Sequence, residues 1–372
     1  MTSQKLRPVD IRTVAQRAGV SIATVSRVMN QVSSVDARLA ARVVKAAKEL
    51  NYTPNTQARA LVSGRSRLIG LIVSEITNPF FPELIQAFEA AAVERGYEIL
   101  IGSTNYSSER MTQCVRRMVE RKVEGVAVMT FGMDEDLLRE LAGRNIPVVS
   151  VGSTRKLESA TSIEIDYSKG IREAVQHLAV MGHRDISFIT GPPHLLAANL
   201  RKAAYVASMA EIGVKVPASY MIEGDHTMEG GFAAALQLFD REHLPTAVLC
   251  SNDMTAIGVL HAVSTRGLRV PEDISIIGFD DIHMAQFTVP PLTSVRMDGT
   301  DLAIAACNAL PLTAKSNAHF VSKENLLVPT KLTVRQTSGY VRPGSSRSAA
   351  GNERPRSNHL SEPGRNTVPE GK

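Results

Sequence analysis

Between Asp10 and Gln31 the chain reads DIRTVAQRAGVSIATVSRVMNQ, two short helical patterns around the tight turn Ala18-Gly19-Val20-Ser21. Ser21, Thr24, Ser26 and Asn30 supply small hydroxyls and an amide to the outward side of the second pattern, beside Arg27. Groups of this kind hold phosphate oxygens while a few side chains reach base edges, which is helix-turn-helix chemistry. Asp10 and Ser21 are placed to accept the orphan backbone N–H groups that open the two helices. Gly19 supplies the permissive backbone the turn needs. Val14, Ala18, Val20, Val25 and Val28 are the apolar positions by which two crossed helices pack. An ordinary helical hairpin at the start of a globular domain is the competing interpretation.

The surroundings favour the first interpretation. Asp36 can cap a third helix from about Ala37 to Leu50, with Leu39, Val43, Ala46 and Leu50 on one face. Residues 1–67 hold twelve Lys and Arg against three Asp and Glu, a net of +9, although the whole chain is only +5. The stretch from Tyr340 onward has a net charge of +3, so residues 68–339 carry −7. A basic head on an acidic body is the electrostatic footprint of polyanion binding. Pro54 then stops the third helix, and Asn55 can cap a further one running through about Ser63 before Gly64 ends it. Two turns are marginal in water. The stretch is either a solvated linker or a hinge that folds when two copies pair on DNA.

Beyond residue 67 strand-like and helix-like segments alternate. Apolar runs at Leu68–Val73, Glu98–Gly102, Val126–Met129 and Val148–Val151 are separated by helical patterns at about 81–95, 108–121 and 134–144. A second series has strand candidates at Ser162–Ile165, Ile186–Ile189, Ala247–Cys250 and Ser275–Gly278, with helical patterns at 168–181, 198–212, 229–239 and 253–266. This alternation predicts parallel sheets covered by helices on both faces. Ligands of such sheets bind outside the carboxyl ends of the strands. Asn78, Phe80 and Phe81 follow the first strand, where the rings either stack on a ligand face or pack the first helix. Asp166 follows the strand that opens the second series and is either a ligand group or a helix cap. Asn252 and Asp253 end one strand and Asp280 another; Asp253 reads as a cap, Asp280 as a ligand group.

Enzyme chemistry is poorly represented. Cys114, Cys250 and Cys307 have no paired spacing for metal or redox work and fit buried thiols in a reducing cytoplasm. There is no HExxH, Walker loop or GxSxG, and Gly191-Pro192-Pro193 lacks the dinucleotide fingerprint. No cofactor or metal is expected. His183 and Arg184 read as structural loop residues. No run reaches the length of a membrane span.

The runs VAQRAGVSIATVSRVMN and ELNYTPNTQARAL, followed by GLIVSEITNPFF, HLAVMGHRDISFITGP, LCSNDMTAIG, GLRVPEDISIIGFDD and TVPPLTSV, resemble the LacI/GalR family of bacterial transcription repressors over roughly residues 8–340. The resemblance implies a small all-α headpiece with a hinge helix, followed by an α/β core of two doubly wound parallel-sheet lobes, periplasmic-binding-protein-like. The implied boundaries are 8–53 for the headpiece, 54–66 for the hinge and 67–338 for the core. Lobe 1 would take 67–161 and 293–318, and lobe 2 162–292 and 319–338, rejoined near Pro291–Val295. Residues 339–372 are expected to be a disordered basic tail, too poor in large apolar residues to bury a core.

The resemblance also assigns roles. Ile22, Ala23 and Arg27 would face the major groove, and Leu61 would wedge into the minor groove as a base contact. Ser21, Thr24, Ser26, Asn30 and Asn55 would hold phosphates. Phe80, Phe81, Asp166, Arg201, Asn252 and Asp280 would meet a small-molecule effector between the lobes, with Arg201 as a fork. The expected protein is a homodimer that binds a pseudopalindromic double-stranded operator in the bacterial cytoplasm, nucleoid-associated when bound. Leu360 is the only leucine of the tail, so a leucine heptad for tetramers is absent. Carbohydrate is the family's commonest effector class and the first expectation; a nucleobase or other metabolite is the alternative. Leu195, Leu196, Ala197 and Met297 stand where some relatives place polar groups, and Pro311 cuts a helix that usually runs longer. A solute-binding receptor without a DNA role would need a signal peptide, and Met1–Pro8 has no apolar core for one.

Overall fold

The computed structural model describes residues 9–29, 35–53, 65–130, 135–152, 160–241, 243–312 and 326–342. Three helices form the head: α1 (Ile11–Ala18), α2 (Ile22–Met29) and α3 (Ala37–Glu49). Their starts are set locally. Asp10 Oδ1 accepts from Thr13 N at 2.9 Å, Ser21 Oγ from Thr24 N at 3.1 Å, and Asp36 Oδ1 from Arg38 N at 2.9 Å. Gly19 ends α1 at φ +62°, and a β-carbon there would lie 2.5 Å from the Arg42 guanidinium. Val14, Ala15, Ala18, Val25, Val43, Ala46 and Ala47 close the small core. The Asn55–Ser63 hinge helix, and with it Leu61, lies outside the described residues, as does Asn30.

The next elements in order are β1 (Leu68–Val73), α4 (Phe80–Glu94), β2 (Glu98–Ser103), α5 (Ser108–Glu120), β3 (Val126–Met129), α6 (Glu135–Gly143), β4 (Val148–Val151) and β5 (Ala160–Asp166). After them come α7 (Tyr167–Val180), β6 (Ile186–Thr190), α8 (Leu196–Glu211), β7 (Met221–Glu223), α9 (Met228–Phe239), β8 (Ala247–Cys250), α10 (Asp253–Thr265) and β9 (Ser275–Asp280). The chain closes with β10 (Thr293–Arg296), α11 (Gly299–Ala309), β11 (Leu326–Pro329) and β12 (Lys331–Thr333). One sheet has the order β11-β5-β4-β3-β1-β2, the other β12-β10-β9-β8-β6-β7. Pairing is parallel throughout except between β10 and β12. Apolar clusters lie on both faces of each sheet, which is why the central strands are predominantly apolar.

The lobe boundaries differ from those expected. β5 pairs with β4, Val148 opposite Ala160, so it belongs to the first lobe and does not open the second. β10 pairs with β9 in the second lobe, whereas α11 returns to the first lobe to pack against α4. β11 then completes the first sheet beside β5, and β12 the second. Strands buried on both faces carry no mark in their apolar runs of which sheet they join; only pairing decides it. The chain therefore crosses between lobes at Asp166–Tyr167, at Met297–Asp298 and at Thr330. Thr330 ties two crossings together: its hydroxyl donates to Asp166 O at 2.6 Å and accepts from Gly170 N at 2.9 Å.

The expected tail also begins later. Gly339 N donates to Ser275 Oγ at 3.0 Å, Gly339 O meets His183 Nε2 at 2.9 Å, and Val341 N donates to Met181 O at 3.0 Å. Backbone pairing on the second lobe orders this strap despite its polar composition. Residues 343–372 lie outside the described residues. No helix of the described residues is long and apolar enough to cross a membrane, and no group of three or more metal-ligating side chains occurs among them.

Candidate DNA-reading face and effector cleft

On α2 the buried Val25 faces the head's core, while Ile22 (46% exposed), Ala23 and Arg27 point outward with Ser21. Thr24 and Ser26 are half-buried at the edge of this face. The Ser21 and Thr24 hydroxyls meet at 2.9 Å at the corner where Ser21 caps α2. The face is basic, small and free of acidic side chains along α2, which suits close approach to a duplex.

A cleft with about 650 Å³ of empty space, its open mouth included, lies between the lobes at the carboxyl ends of the strands. Phe80, Phe81, Arg201, Asn252 and Asp280 all line it. Asp166 does not: its carboxylate caps α7 by accepting from Lys169 N at 3.0 Å. Phe80 and Phe81 form an edge-to-face pair with centroids 5.4 Å apart, and Phe80 packs against the cores of both lobes. Arg201 is buried. Its guanidinium lies 3.9 Å over the Phe279 ring, donates to Ser251 O at 2.5 Å and reaches Asp280 Oδ1 at 3.3 Å. Asn252 lines the cleft but is occupied, its Oδ1 accepting from Thr255 N at 2.9 Å and its Nδ2 donating to His226 O at 3.0 Å.

Asp280 and Asp281 have φ of +106° and +57°, a conformation side chains other than glycine rarely adopt. The turn is held from beneath by Asp253, which accepts from Ser294 Oγ at 2.5 Å and from Ile282 N at 2.8 Å. A β-carbon on Gly278 would lie 2.0 Å from Asp253 Oδ1, so glycine there makes room for the brace. Asp253, expected to be a cap, is this buried brace. Burial pushes the Asp280 carboxyl up to about 6, against the lowering pull of Arg201. Burial, aided by the Arg201 charge, holds His226 down at about 3, so its imidazole is neutral; it meets Ser251 Oγ at 2.9 Å.

Sequence reasoning missed Ser74, Tyr106, Tyr167 and His226 as cleft residues. Tyr106 follows β2 rather than a strand flagged as a mouth, and its hydroxyl donates to Glu75 Oε1 at 3.5 Å. His226 sits after β7, a three-residue strand too short for its pattern to be read. The general rule about strand ends was the only signal that pointed to either.

Residues 10–55 match the profile of bacterial regulatory proteins of the lacI family, and residues 175–338 that of a periplasmic binding protein-like domain. Catabolite control protein A of Priestia megaterium is 32% identical over 331 residues, covering 89% of this chain and 99% of that protein. The chain belongs to the LacI family. As a LacI-family member it is a DNA-binding transcriptional regulator, and its relatives are regulators rather than enzymes. The ribose operon repressor of Escherichia coli K12 is 34% identical over 302 residues, covering 81% of this chain and 91% of that repressor. The structure of the Lac repressor dimer bound to operator and the anti-inducer ONPF superposes with a TM-score of 0.79 at 29% identity, covering 90% of this chain and all of that one.

Proposed function

We propose that this LacI-family chain is a dimeric repressor whose grip on a pseudopalindromic operator is set by a small uncharged effector in the cleft. One observation carries the reading: a buried Arg201–Asp280 pair at a strained turn, with Asp280 Oδ2 meeting no donor among the described residues. Strained backbone braced from beneath is a feature of binding sites. Because the chain crosses between lobes three times, a ligand touching both lobes shifts their relative arrangement, and that shift is coupled reciprocally to DNA affinity. Residues 8–53 and 54–66 would then act as the reading head and hinge, with Arg27 on base edges, Leu61 as the minor-groove wedge, and Asn30 and Asn55 on phosphates. Carbohydrate is one effector class such hydrogen-bonding groups accept; nucleobases and other metabolites with N–H or hydroxyl donors are the other. The relative that represses a ribose operon supports the sugar arm.

The dimer has a candidate seam. Met284, Phe287 and Val289 stand 47%, 69% and 95% exposed on the segment between β9 and β10, an apolar patch that a second copy would cover. The site of action would be the bacterial cytoplasm, on the chromosome. An operator selected from random duplex by the full chain gives the assay. Adding the dialysable small-molecule fraction of the host should change operator affinity at least tenfold for wild type and leave Arg201→Ala and Arg201→Lys unmoved. Equal responses in all three, or none in wild type, would remove the cleft from control.

A further inference from the structure

We propose, on the basis of the cleft reading above, that the effector is an uncharged aromatic or heteroaromatic ring with hydroxyl or N–H donors along one edge, not a free monosaccharide. Several polar groups of the cleft are already engaged. Arg201 gives its terminal nitrogens to Ser251 O and Asp280 Oδ1, and its flat side lies on Phe279. The Asn252 amide is used at both ends, and Ser74 donates to Thr130 Oγ1 at 2.8 Å.

Four groups keep capacity. Asp280 Oδ2 and Asn78 Nδ2 meet no partner among the described residues, Arg201 Nε is buried without one, and the Tyr106 hydroxyl has a long contact with Glu75 beside its bond with Ser74. Tyr106 lies close enough to Asp280 and Arg201 for their charges to act on its hydroxyl. Arg201 and Asp280 cancel each other's charge, which favours a neutral guest. The rest of the wall is apolar, with Leu84, Met129, Val151, Ile165, Met297 and Leu302 on it. Leu195 and Ala197, at the start of α8, bring no polar group.

A hexopyranose carries hydroxyls around its whole rim. Buried against this wall, most of them would lack partners, and unpaired buried polar groups weaken binding steeply. A flat ring matches both halves of the cleft. Its faces contact Phe80, Phe81 and the aliphatic wall, and its polar edge donates to Asp280 Oδ2.

Thermal shift and calorimetry on the full chain test this with D-glucose and D-ribose as monosaccharides. Resorcinol and 4-hydroxybenzyl alcohol represent phenols; adenine and hypoxanthine represent heteroaromatics. At least one ring probe should raise Tm and bind, the responding arm telling which ring source applies. Asp280→Asn should weaken that probe at least tenfold. Met297→Gln, which adds a polar group to the wall without touching the ion pair, should weaken it severalfold. Binding of a monosaccharide alone overturns the ring assignment while leaving the cleft as effector site. Silence from every probe also overturns it, and the extract titration still reports on the cleft. Ring binding unaffected by both substitutions places the ring elsewhere and overturns the proposal.

Discussion

Arg27 stands exposed in the last turn of α2, on the side of the helix that carries Ile22 and Ala23. Ile22 and Ala23 can meet thymine methyls, but neither can form a bidentate hydrogen bond; Arg27 can fork onto guanine O6 and N7. Arg27→Ala should therefore cost about 1–3 kcal/mol on the selected operator and much less on random duplex at the same salt. Competition titrations on the two duplexes check this, and equal losses would make Arg27 a phosphate contact. At this scale the head was legible because its signals are local: a cap and the N–H it satisfies are three residues apart at Asp10 and Ser21. The cleft was legible only in part. Arg201 and Asp280 are 79 residues apart, and nothing between them states that they pair. The family resemblance supplied Arg201, and chain geometry supplied its partners.

The longer elements followed from periodicity to within a residue or two, since buried parallel strands and amphipathic helices have distinct repeats, whereas the short strands β7, β11 and β12 were not foreseen. The assignment of elements to lobes did not follow from periodicity. β5 and β10 each end one sheet's run of strands at a crossing, and a crossing leaves no apolar or polar mark. Its signature is packing space. A β-carbon on Gly170 of α7 would lie 2.3 Å from Val295 Cγ1 and 2.4 Å from Thr330 Oγ1, where β10, the last crossing and α7 meet. Gly170→Ala has no room, so overpacking should destabilise the chain by about 1–3 kcal/mol. Since Thr330 also bonds Asp166 O, the strain falls on the crossings, and effector response should weaken more than operator binding does. Urea melts alongside operator titrations separate the two effects. A fully stable variant would show that the crossings tolerate displacement and that the Thr330 contacts do not hold them.

Across the whole molecule, pH sets two buried groups of the cleft against each other. His226 is held at about 3 in the fold, below the ordinary 6.5 of a histidine. The unfolded chain thus binds the extra proton as pH falls below 6.5, and this group removes stability on acidification. Asp280 has the opposite sign. Raised to about 6 from 3.8, it holds a proton in the fold before the unfolded chain does, so it adds stability as pH falls from 6 toward 3.8. Between pH 6 and 4 the two contributions offset. His177 and His183, both lowered by burial, lean the balance toward acid sensitivity. They meet Ser338 Oγ and Gly339 O of the strap at 2.9 Å each. Removing the compensating carboxyl should expose the histidines. In Asp280→Asn, the fall of unfolding free energy between pH 6 and 4 should steepen by up to about 1.4 kcal/mol per pH unit, the value of one proton. In His226→Gln it should flatten by a similar amount. Denaturant melts at half-unit pH steps measure both slopes, and parallel curves for wild type and the two variants would show that neither group titrates with folding.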